Sequence, residues 1–369
     1  MENKIGILTF HRAANFGAVL QAFALQQAIS SLDEECIVEI IDYRCKKIED
    51  SYRLFNPNTG NLLKECLRVP FCLKKRWKKR RIFDDFLRDK LHLSAIRYSS
   101  DNINDADNCY NAIVSGSDQV WNDILTDSDM TYCLSFVENK NKCFSYAASF
   151  GNTSGNQTTE NYYKQEIGKF NGISVREKDS VSRLDSLNRS DIVVSPDPTL
   201  LLSEDTWGQF ASKGLSFGKP YVLIYELTPG KDLVNYAKKI AEKRNAELFM
   251  LSESFTHFPE IKHLRGINPI DFVSLIRDAN CVVTNSFHGT VFSIINNTEF
   301  YVETQAQKNT NNRIIHLLKE FKIRGRDISH PETIDAEICW DQVDLIRRTL
   351  AEETKQYLNR IVCIAKGGN

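Results

Sequence analysis

The sequence of 369 residues lacks several features that mark common protein classes. None of its ten cysteines forms a C-x-x-C pair, and several lie in apolar segments, so we expect reduced, buried thiols and neither disulfides nor metal ligands. Lys plus Arg number 47 and Asp plus Glu 48, which leaves a net charge of −1 and no overall field to attract nucleic acid. The sequence therefore predicts no metal, no cofactor and no nucleic-acid partner.

Long hydrophobic runs are also missing. No apolar stretch approaches the roughly 18 residues of a membrane-spanning helix. The opening residues MENKIGILTF have no basic segment followed by an apolar stretch of signal-peptide length. With 42% hydrophobic and 26% charged residues the composition is that of an ordinary folded protein, which we expect in the cytoplasm.

Short apolar runs rich in β-branched residues alternate with helical patterns along the chain. This alternation is typical of an α/β protein with parallel sheets. The predicted strands lie at 4–9, 36–43, 110–115, 143–148, 172–176, 192–195, 221–227, 247–251, 281–284 and 300–303.

The alternation starts afresh near residue 204, where Ser203 offers a helix N-cap. The fold class we expect is therefore α/β, with two Rossmann-like doubly wound domains facing a cleft. The domains are predicted at residues 1–203 and 204–339, followed by a C-terminal helix within 340–369 that packs across them.

Residues 44–100 break the alternation and predict a basic helical insertion. Seven positive charges lie within eight residues around Trp77: Lys74, Lys75, Arg76, Lys78, Lys79, Arg80 and Arg81. A charge run of this kind is usually a solvated helix face. It also suits contact with an anionic membrane surface, because Lys and Arg are drawn to anionic headgroups and Trp lies well at their depth.

Two loops of the first domain follow predicted strands. Asn15 and Gly17 stand where the first strand gives way to a helix, a place where backbone N–H groups hold anions, although the same residue types also build a plain turn and cap. After the strand YNAIVSG, Asp118, Gln119 and Trp121 form a set suited to a sugar, the ring stacking and the polar groups bonding hydroxyls. An Asx turn beside a core tryptophan is the alternative.

Arg176 follows another strand, in the segment Ser174–Ser180. Its guanidinium could clamp a phosphate or carboxylate with two parallel hydrogen bonds. A structural ion pair with Glu177 or Asp179 is an equal alternative. We interpret Asp197-Pro198 as an interdomain turn and not as a catalytic acid.

The second domain has a histidine at the corresponding place. Ser286 and His288 follow the strand CVVT and begin a helix, where an imidazole is suited to proton transfer near neutral pH. Lys308 and Arg313 lie downstream and are further candidates for anion contacts, with solvated charge as the alternative.

The order and spacing of these motifs resemble the polysaccharide pyruvyl transferase family. The resemblance runs from Ile5 to about Arg313 and is carried by these segments: the Asn15-x-Gly17 loop, GSDQVW at 116–121, SYAASFG at 145–151, SVRE at 174–177, DPTLLL at 197–202 and SFHG at 286–289.

The resemblance implies a GT-B-like pair of Rossmann-type domains, with the acceptor on the N-terminal side and the donor on the C-terminal side. It implies transfer of a pyruvate ketal from phosphoenolpyruvate to a hexose of a bacterial exopolysaccharide or capsule, or of its lipid-linked precursor. The family's arginine falls on Arg176 and its histidine on His288. Many members carry an arginine two residues before that histidine, where this chain has Ser286, so the donor anion contact is expected from Lys308 or Arg313.

For this chemistry His288 is expected to be the general acid and Asp118 the proton acceptor. Asn15, Gly17 and Ser286 are expected near the donor, and Gln119 and Trp121 near the acceptor. The main alternative is a nucleotide-sugar glycosyltransferase of the same fold. Such enzymes commonly hold the donor ribose with an acid about eight residues after a comparable His-Gly, where this chain has Asn296. A third alternative is an anion-binding or nucleic-acid-binding module built on the basic cluster.

Overall fold

The computed structural model describes residues 2–51, 77–151, 153–252, 258–304, 311–330 and 337–368. The chain divides into two compact units: unit 1 comprises Met1–Leu201 with Leu350–Asn369, and unit 2 comprises Leu202–Thr349. The first division lies close to the boundary predicted between 203 and 204. The second falls inside the last helix, so the predicted segment 340–369 is shared between the two units.

Unit 1 is built on a parallel sheet. Its five strands are β1 (Asn3–Leu8), β2 (Cys36–Tyr43), β3 (Leu93–Tyr98), β4 (Ala112–Ser115) and β5 (Cys143–Ser145). Their order in the sheet is β3-β2-β1-β4-β5, and all neighbours are parallel. The two-residue strands β6 (Ser174–Val175) and β7 (Val193–Val194) form a second small parallel sheet. Isolated β-bridges connect it to the first sheet, between Phe144 of β5 and Gly172 and between Ala148 and Val175.

The helices of unit 1 connect these strands. They are α1 (Phe16–Ser30), α2 (Lys46–Ser51), α3 (77–90), α4 (Asp123–Thr126), α5 (Gln157–Ile167) and α6 (Lys178–Arg183). Short 3-10 helices lie at Ile103–Cys109, Met130–Cys133, Lys140–Lys142, Asp185–Leu187 and Pro198–Leu201. α1 is buried along nearly its whole length, which explains its almost uniformly apolar sequence.

Unit 2 repeats the same sheet order. Its strands are β8 (Tyr221–Glu226), β9 (Glu247–Ser252), β10 (Lys262–His263), β11 (Cys281–Thr284) and β12 (Phe300–Val302). They are parallel in the order β10-β9-β8-β11-β12.

The helices of unit 2 are α7 (Glu204–Phe210), α8 (Lys231–Lys243), α9 (Pro269–Arg277), α10 (Phe287–Ile295) and α11 (Asn311–Glu320), and α12 (Trp340–Ala365) runs on into unit 1. Local sequence sets their starts. Ser203 caps α7 as predicted, and α9 begins at a capping box of Asn268 and Asp271 with a proline in the first turn.

Two strands were not predicted. β3 lies in the segment 44–100 that was predicted to be a helical insertion, and that prediction is wrong at its end: LSAIRY is an edge strand paired with β2. Three of its six residues are exposed, so no apolar run marks it. β10 has two residues, too few for a pattern. The helical part of the prediction holds at α2 and α3, and residues 52–76 lie outside the described part of the chain.

Within the described residues, no helix combines the length and apolarity needed to cross a lipid bilayer.

Candidate functional site

The strand order places a switch point in each sheet. β1 lies between β2 and β4, and β8 lies between β9 and β11, so connections leave the central strand in opposite directions. Ligands of such sheets bind outside the carboxyl ends of the strands at this point. In unit 1 the segments there are 9–15 and 116–119, and in unit 2 they are 227–230 and 285–289.

The start of α10 in unit 2 is held by a set of short hydrogen bonds. The Thr284 hydroxyl donates to the Tyr225 carbonyl at 2.7 Å and accepts from the Ser286 N–H at 3.0 Å. The Ser286 hydroxyl in turn accepts from the Gly289 N–H at 3.2 Å and so caps the helix. A Cβ on Gly289 would lie 2.6 Å from the Thr284 hydroxyl and 2.9 Å from the Tyr225 ring, so this close packing requires glycine.

His288 and Arg313 both contact Phe287, the first residue of α10. The rings of His288 and Phe287 lie 5.2 Å apart at 86°, and the Arg313 guanidinium lies 5.4 Å from the centre of the Phe287 ring. His288 is buried and Arg313 half-buried. The structure thus brings the predicted acid, the neutral cap Ser286 and one of the two predicted downstream cations to a single helix start. The other cation, Lys308, lies outside the described residues.

In unit 1, Arg176 lies among carboxylates. Its Nε lies 3.0 Å from Glu177, its Nη1 3.2 Å from Asp197 and its Nη2 3.9 Å from Asp118. The side chain is 4% exposed and that of Asp197 is not exposed. Burial lowers the pKa of Arg176, but Glu177, Asp118 and Asp197 outweigh that effect and raise it.

These contacts give Arg176 the structural ion pairs of the alternative interpretation, while its role as a donor clamp stays a prediction. The three carboxylates that it contacts already exceed its single positive charge, so their surroundings disfavour a further anion. The ion-pair alternative is the one that the structure shows, with Asp197 as a partner in place of Asp179. Asp197 also accepts hydrogen bonds from the Thr199 N–H and hydroxyl, at the start of the 3-10 helix Pro198–Leu201.

Asp118 lies at the open edge of this cluster. Its φ is 78°, a left-handed conformation that is costly for a residue with a side chain. The conformation is held because the Asp118 carbonyl accepts from the Ser149 N–H at 3.0 Å, and its carboxylate accepts from the Gln119 N–H at 2.9 Å. The carboxylate is partly exposed, at 17%. It is therefore accessible to a ligand while being fixed in direction.

Gln119 and Trp121 have different environments. Gln119 is half-buried, and its side-chain oxygen accepts from the Asn122 amide at 3.0 Å. Trp121 is completely buried, packs 5.2 Å from the Phe150 ring and donates to the Tyr132 carbonyl at 3.3 Å. The stacking role predicted for Trp121 is wrong, because no ring face reaches the surface. It is the core tryptophan of the alternative interpretation.

Asn15 is the N-cap of α1. Its side-chain oxygen accepts from the N–H groups of Gly17 and Ala18 at 2.9 and 3.4 Å. The turn-and-cap alternative is thus what the structure shows at Asn15 and Gly17, and two N–H groups that a ligand anion could have used are already bonded.

A charged cluster beside this loop was not singled out from the sequence. Asp42, at the end of β2, accepts from Arg12 at 2.8 and 2.6 Å and contacts the buried His11 at 3.1 Å and Arg44 at 3.3 Å. Burial raises the pKa of Asp42, but hydrogen bonds from His11 and Arg12 hold it well below its ordinary range. Burial lowers the pKa of His11. The signal was present as the dipeptide His11-Arg12 after β1.

The described part of the basic cluster lies on α3. Arg80 and Arg81 lie 3.6 and 3.9 Å from Asp84 and Asp85, one turn along the helix. Trp77 is 53% exposed. Lys78 and Lys79 are also described, whereas Lys74, Lys75 and Arg76 lie outside the described residues.

A grouping of three or more His, Cys, Asp or Glu side chains able to hold a metal is absent from the part of the chain that the structure describes.

Together, the two Rossmann-like parallel units and the polar residues at their switch points define an α/β protein of the GT-B-like class. Residues 15–304 match the family model of polysaccharide pyruvyl transferase, and the chain belongs to that family of transferases. The family implies a glycan acceptor. No curated protein matches the sequence significantly.

Several solved structures are similar to this chain at low sequence identity. A Listeria monocytogenes protein provisionally assigned as a UDP-N-acetylglucosamine 2-epimerase has a TM-score of 0.53 and 13% identity, covering 99% of this chain and 94% of that one. The UDP-GlcNAc 2-epimerase of Methanocaldococcus jannaschii has a TM-score of 0.47 and 11% identity, covering 94% and 92%. UGT71G1 of Medicago truncatula, complexed with UDP-glucose, has a TM-score of 0.47 and 8% identity, covering 97% and 98%.

Proposed function

We propose that this protein transfers a pyruvate-derived group from phosphoenolpyruvate to two hydroxyls of a hexose, leaving a pyruvate ketal on a bacterial surface polysaccharide or on its lipid-linked precursor. The observation that carries the proposal is family membership over residues 15–304. It is supported by the start of α10, where an imidazole and a guanidinium pack against the same phenylalanine.

The reaction needs an acid, an anion contact and a proton acceptor. A proton is added to the CH₂ carbon of phosphoenolpyruvate, which leaves positive charge on the adjacent carbon. One sugar hydroxyl attacks that carbon and loses its proton. The second hydroxyl then forms the second C–O bond as the C–O bond to phosphate breaks, and its proton leaves with the inorganic phosphate. One phosphoenolpyruvate and one diol thus give one ketal and one phosphate.

We assign the acid to His288, because imidazole is the most frequent proton-transfer group in enzymes and this one lies at a switch-point helix start. Arg313, with Lys308 as the further candidate, is the proposed contact for the donor's anionic groups, and Ser286 caps the helix beside it with a neutral hydroxyl. Asp118 is the proposed proton acceptor, since its carboxylate is partly exposed and fixed in direction. Gln119 remains the proposed acceptor contact.

Arg176 takes a different role in this proposal. Its guanidinium fixes Asp118 from 3.9 Å, together with Glu177 and Asp197. The negative charge of this cluster suits the acceptor side of the reaction, where a hydroxyl proton is received.

The competing function is transfer from a nucleotide sugar. Position 296, where an acid would bind the ribose, is an asparagine whose amide donates to the Phe292 carbonyl at 2.7 Å. Thermal stability measured with phosphoenolpyruvate and with UDP-sugars separates the two functions. We expect phosphoenolpyruvate to raise the melting temperature and UDP-sugars to leave it unchanged, and the reverse result would establish the glycosyltransferase.

We also propose that α3 and the residues before it contact anionic lipid where a lipid-linked acceptor is presented. The exposed Trp77 and the Lys and Arg residues at 74–81 support this. Salt-sensitive sedimentation with anionic vesicles, lost when Lys74, Lys75, Lys78 and Lys79 become Glu, is the expected result. If the wild type and the four-Glu variant sediment equally at low salt, the basic cluster is a solvated surface and does not bind lipid.

A further inference from the structure

Two buried carboxylates lie at the start of α8 in unit 2. Glu226 is the last residue of β8 and Glu303 directly follows β12, and they are 3% and 6% exposed. The Gly230 N–H donates to Glu226 at 2.9 Å, and the Leu233 N–H donates to Glu303 at 3.2 Å. Gly230 precedes this 13-residue helix and provides no side-chain cap, so the two glutamates take its place.

Glu303 is placed directly against the helix start. A Cβ on Gly230 would collide with its Oε2, so the absence of a side chain there makes room for the carboxylate. That Oε2 is buried and has no hydrogen-bond partner among the described residues. Burial raises the pKa of Glu303, and so do the charges of Asp232 and Glu226, while the Leu233 N–H and the Asn285 side chain lower it.

The start of the helix after the central strand of a Rossmann-like sheet is the position where phosphate groups are commonly held, by N–H groups and the helix dipole. Here two of those N–H groups already bond to carboxylates of the protein. A phosphate group at the start of α8 would therefore be repelled by these two carboxylates. The start of α10 differs, because its cap is the neutral Ser286 and Arg313 lies nearby.

We propose that Glu226 and Glu303 are built-in anions that keep donor phosphate groups away from the start of α8 and leave them to the start of α10. This proposal rests on the proposed function for the identity of the donor. It adds a substrate class: the donor is a compact phosphate ester that uses the start of α10 alone, and not a nucleoside diphosphate that uses the starts of both α8 and α10. Glu303 is thereby a specificity-determining residue.

The test compares Glu303→Ala and Glu303→Gln with the wild type and with Glu242→Gln, which removes a charge from the exposed far end of the same helix. The probe is inorganic phosphate, with stoichiometry and affinity measured by titration calorimetry and location by hydrogen exchange at residues 230–233. We expect Glu303→Ala to gain a phosphate bound at least tenfold more tightly there than in the wild type, with new protection at 230–233. Glu303→Gln keeps an acceptor for Leu233 and is expected to gain about threefold.

Phosphate affinity at 230–233 unchanged from that of the wild type in Glu303→Ala would overturn the proposal. If Glu303→Ala does not fold, Glu303→Gln alone provides the test. Phosphate affinity at 230–233 no higher in Glu303→Gln than in Glu242→Gln would then overturn the proposal. Turnover of phosphoenolpyruvate by the wild type is measured separately. A gain of phosphate binding without turnover would refute the proposed function and leave the role of the glutamates standing.

Discussion

The two units have the same strand order, but the loop after β4 in unit 1 and the loop after β11 in unit 2 carry opposite charge. In unit 1, Arg176 contacts three carboxylates, and the charge of the cluster is negative. In unit 2 the start of α10 combines a neutral cap with Arg313 and His288. Sheet topology therefore determines where a ligand binds, while the few side chains that follow the strands determine which ligand charge the site favours.

The largest effect is expected at His288. His288→Ala should lower turnover by about two to four orders of magnitude, the usual contribution of a general acid, with the fold retained. His92→Ala in unit 1 removes an imidazole that is 59% exposed and serves as the control. Steady-state kinetics with folding checked by circular dichroism measure both, and wild-type turnover of His288→Ala would place the acid elsewhere.

Arg176→Leu should act mainly on stability. Removing the guanidinium leaves the buried Asp197 and the half-buried Glu177 without this cation, and breaking a buried ion pair from one side costs about 3–5 kcal/mol. Urea unfolding measures this loss. A variant as stable as the wild type but with a raised KM for phosphoenolpyruvate would restore the donor clamp that the structure argues against.

Arg313→Leu should show the converse pattern. The residue is half-buried and stacks on Phe287, so its loss should change the free energy of unfolding by about 1 kcal/mol or less. The KM for phosphoenolpyruvate should rise about tenfold or more, because hydrogen bonds to charged groups contribute about 1.5–3 kcal/mol. An unchanged KM would transfer the anion contact to Lys308.

The smallest effects are expected in the pH dependence of stability, with opposite sign at two carboxylates. The lowered pKa of Asp42 contributes stability that is present above its ordinary value of 3.8 and is lost as pH falls. The raised pKa of Glu303 destabilises the folded state as pH rises above its ordinary value of 4.5. Asp42→Asn should therefore cost more at pH 7 than at about pH 2.5, and Glu303→Gln should cost less at pH 7 than at about pH 2.5. Unfolding at the two pH values measures both, and equal losses at both would contradict the assigned pKa directions.

The strands were predictable where burial is continuous. β2 and β11 have the predicted bounds because both are apolar runs buried in the sheet. The edge strand β3 was not predicted, because its exposed residues lack the apolar signal that marks a strand. The apolar pattern of a strand depends on how much of the strand the rest of the sheet and its helices bury. Exposed edge strands are therefore the part of such a sheet that hydrophobic periodicity does not predict.

The site was predictable by position but less by role. His288 and Arg313 were singled out from the sequence as separate candidates, and both contact Phe287 in the structure. Trp121 was misjudged because a core indole and a sugar-stacking indole are the same residue, and only burial separates them. Asp197 was missed as a partner of Arg176 because they lie 21 positions apart and come together through the pairing of β6 with β7.

The most direct test is a phosphate-release assay with phosphoenolpyruvate and hexose acceptors that present a pair of free hydroxyls, including galactose- and mannose-type sugars. The account predicts release of one phosphate for each ketal formed, dependent on both substrates, nearly abolished in His288→Ala and retained in His92→Ala. Transfer of sugar from a UDP-sugar to the same acceptors, with phosphoenolpyruvate untouched, would contradict it.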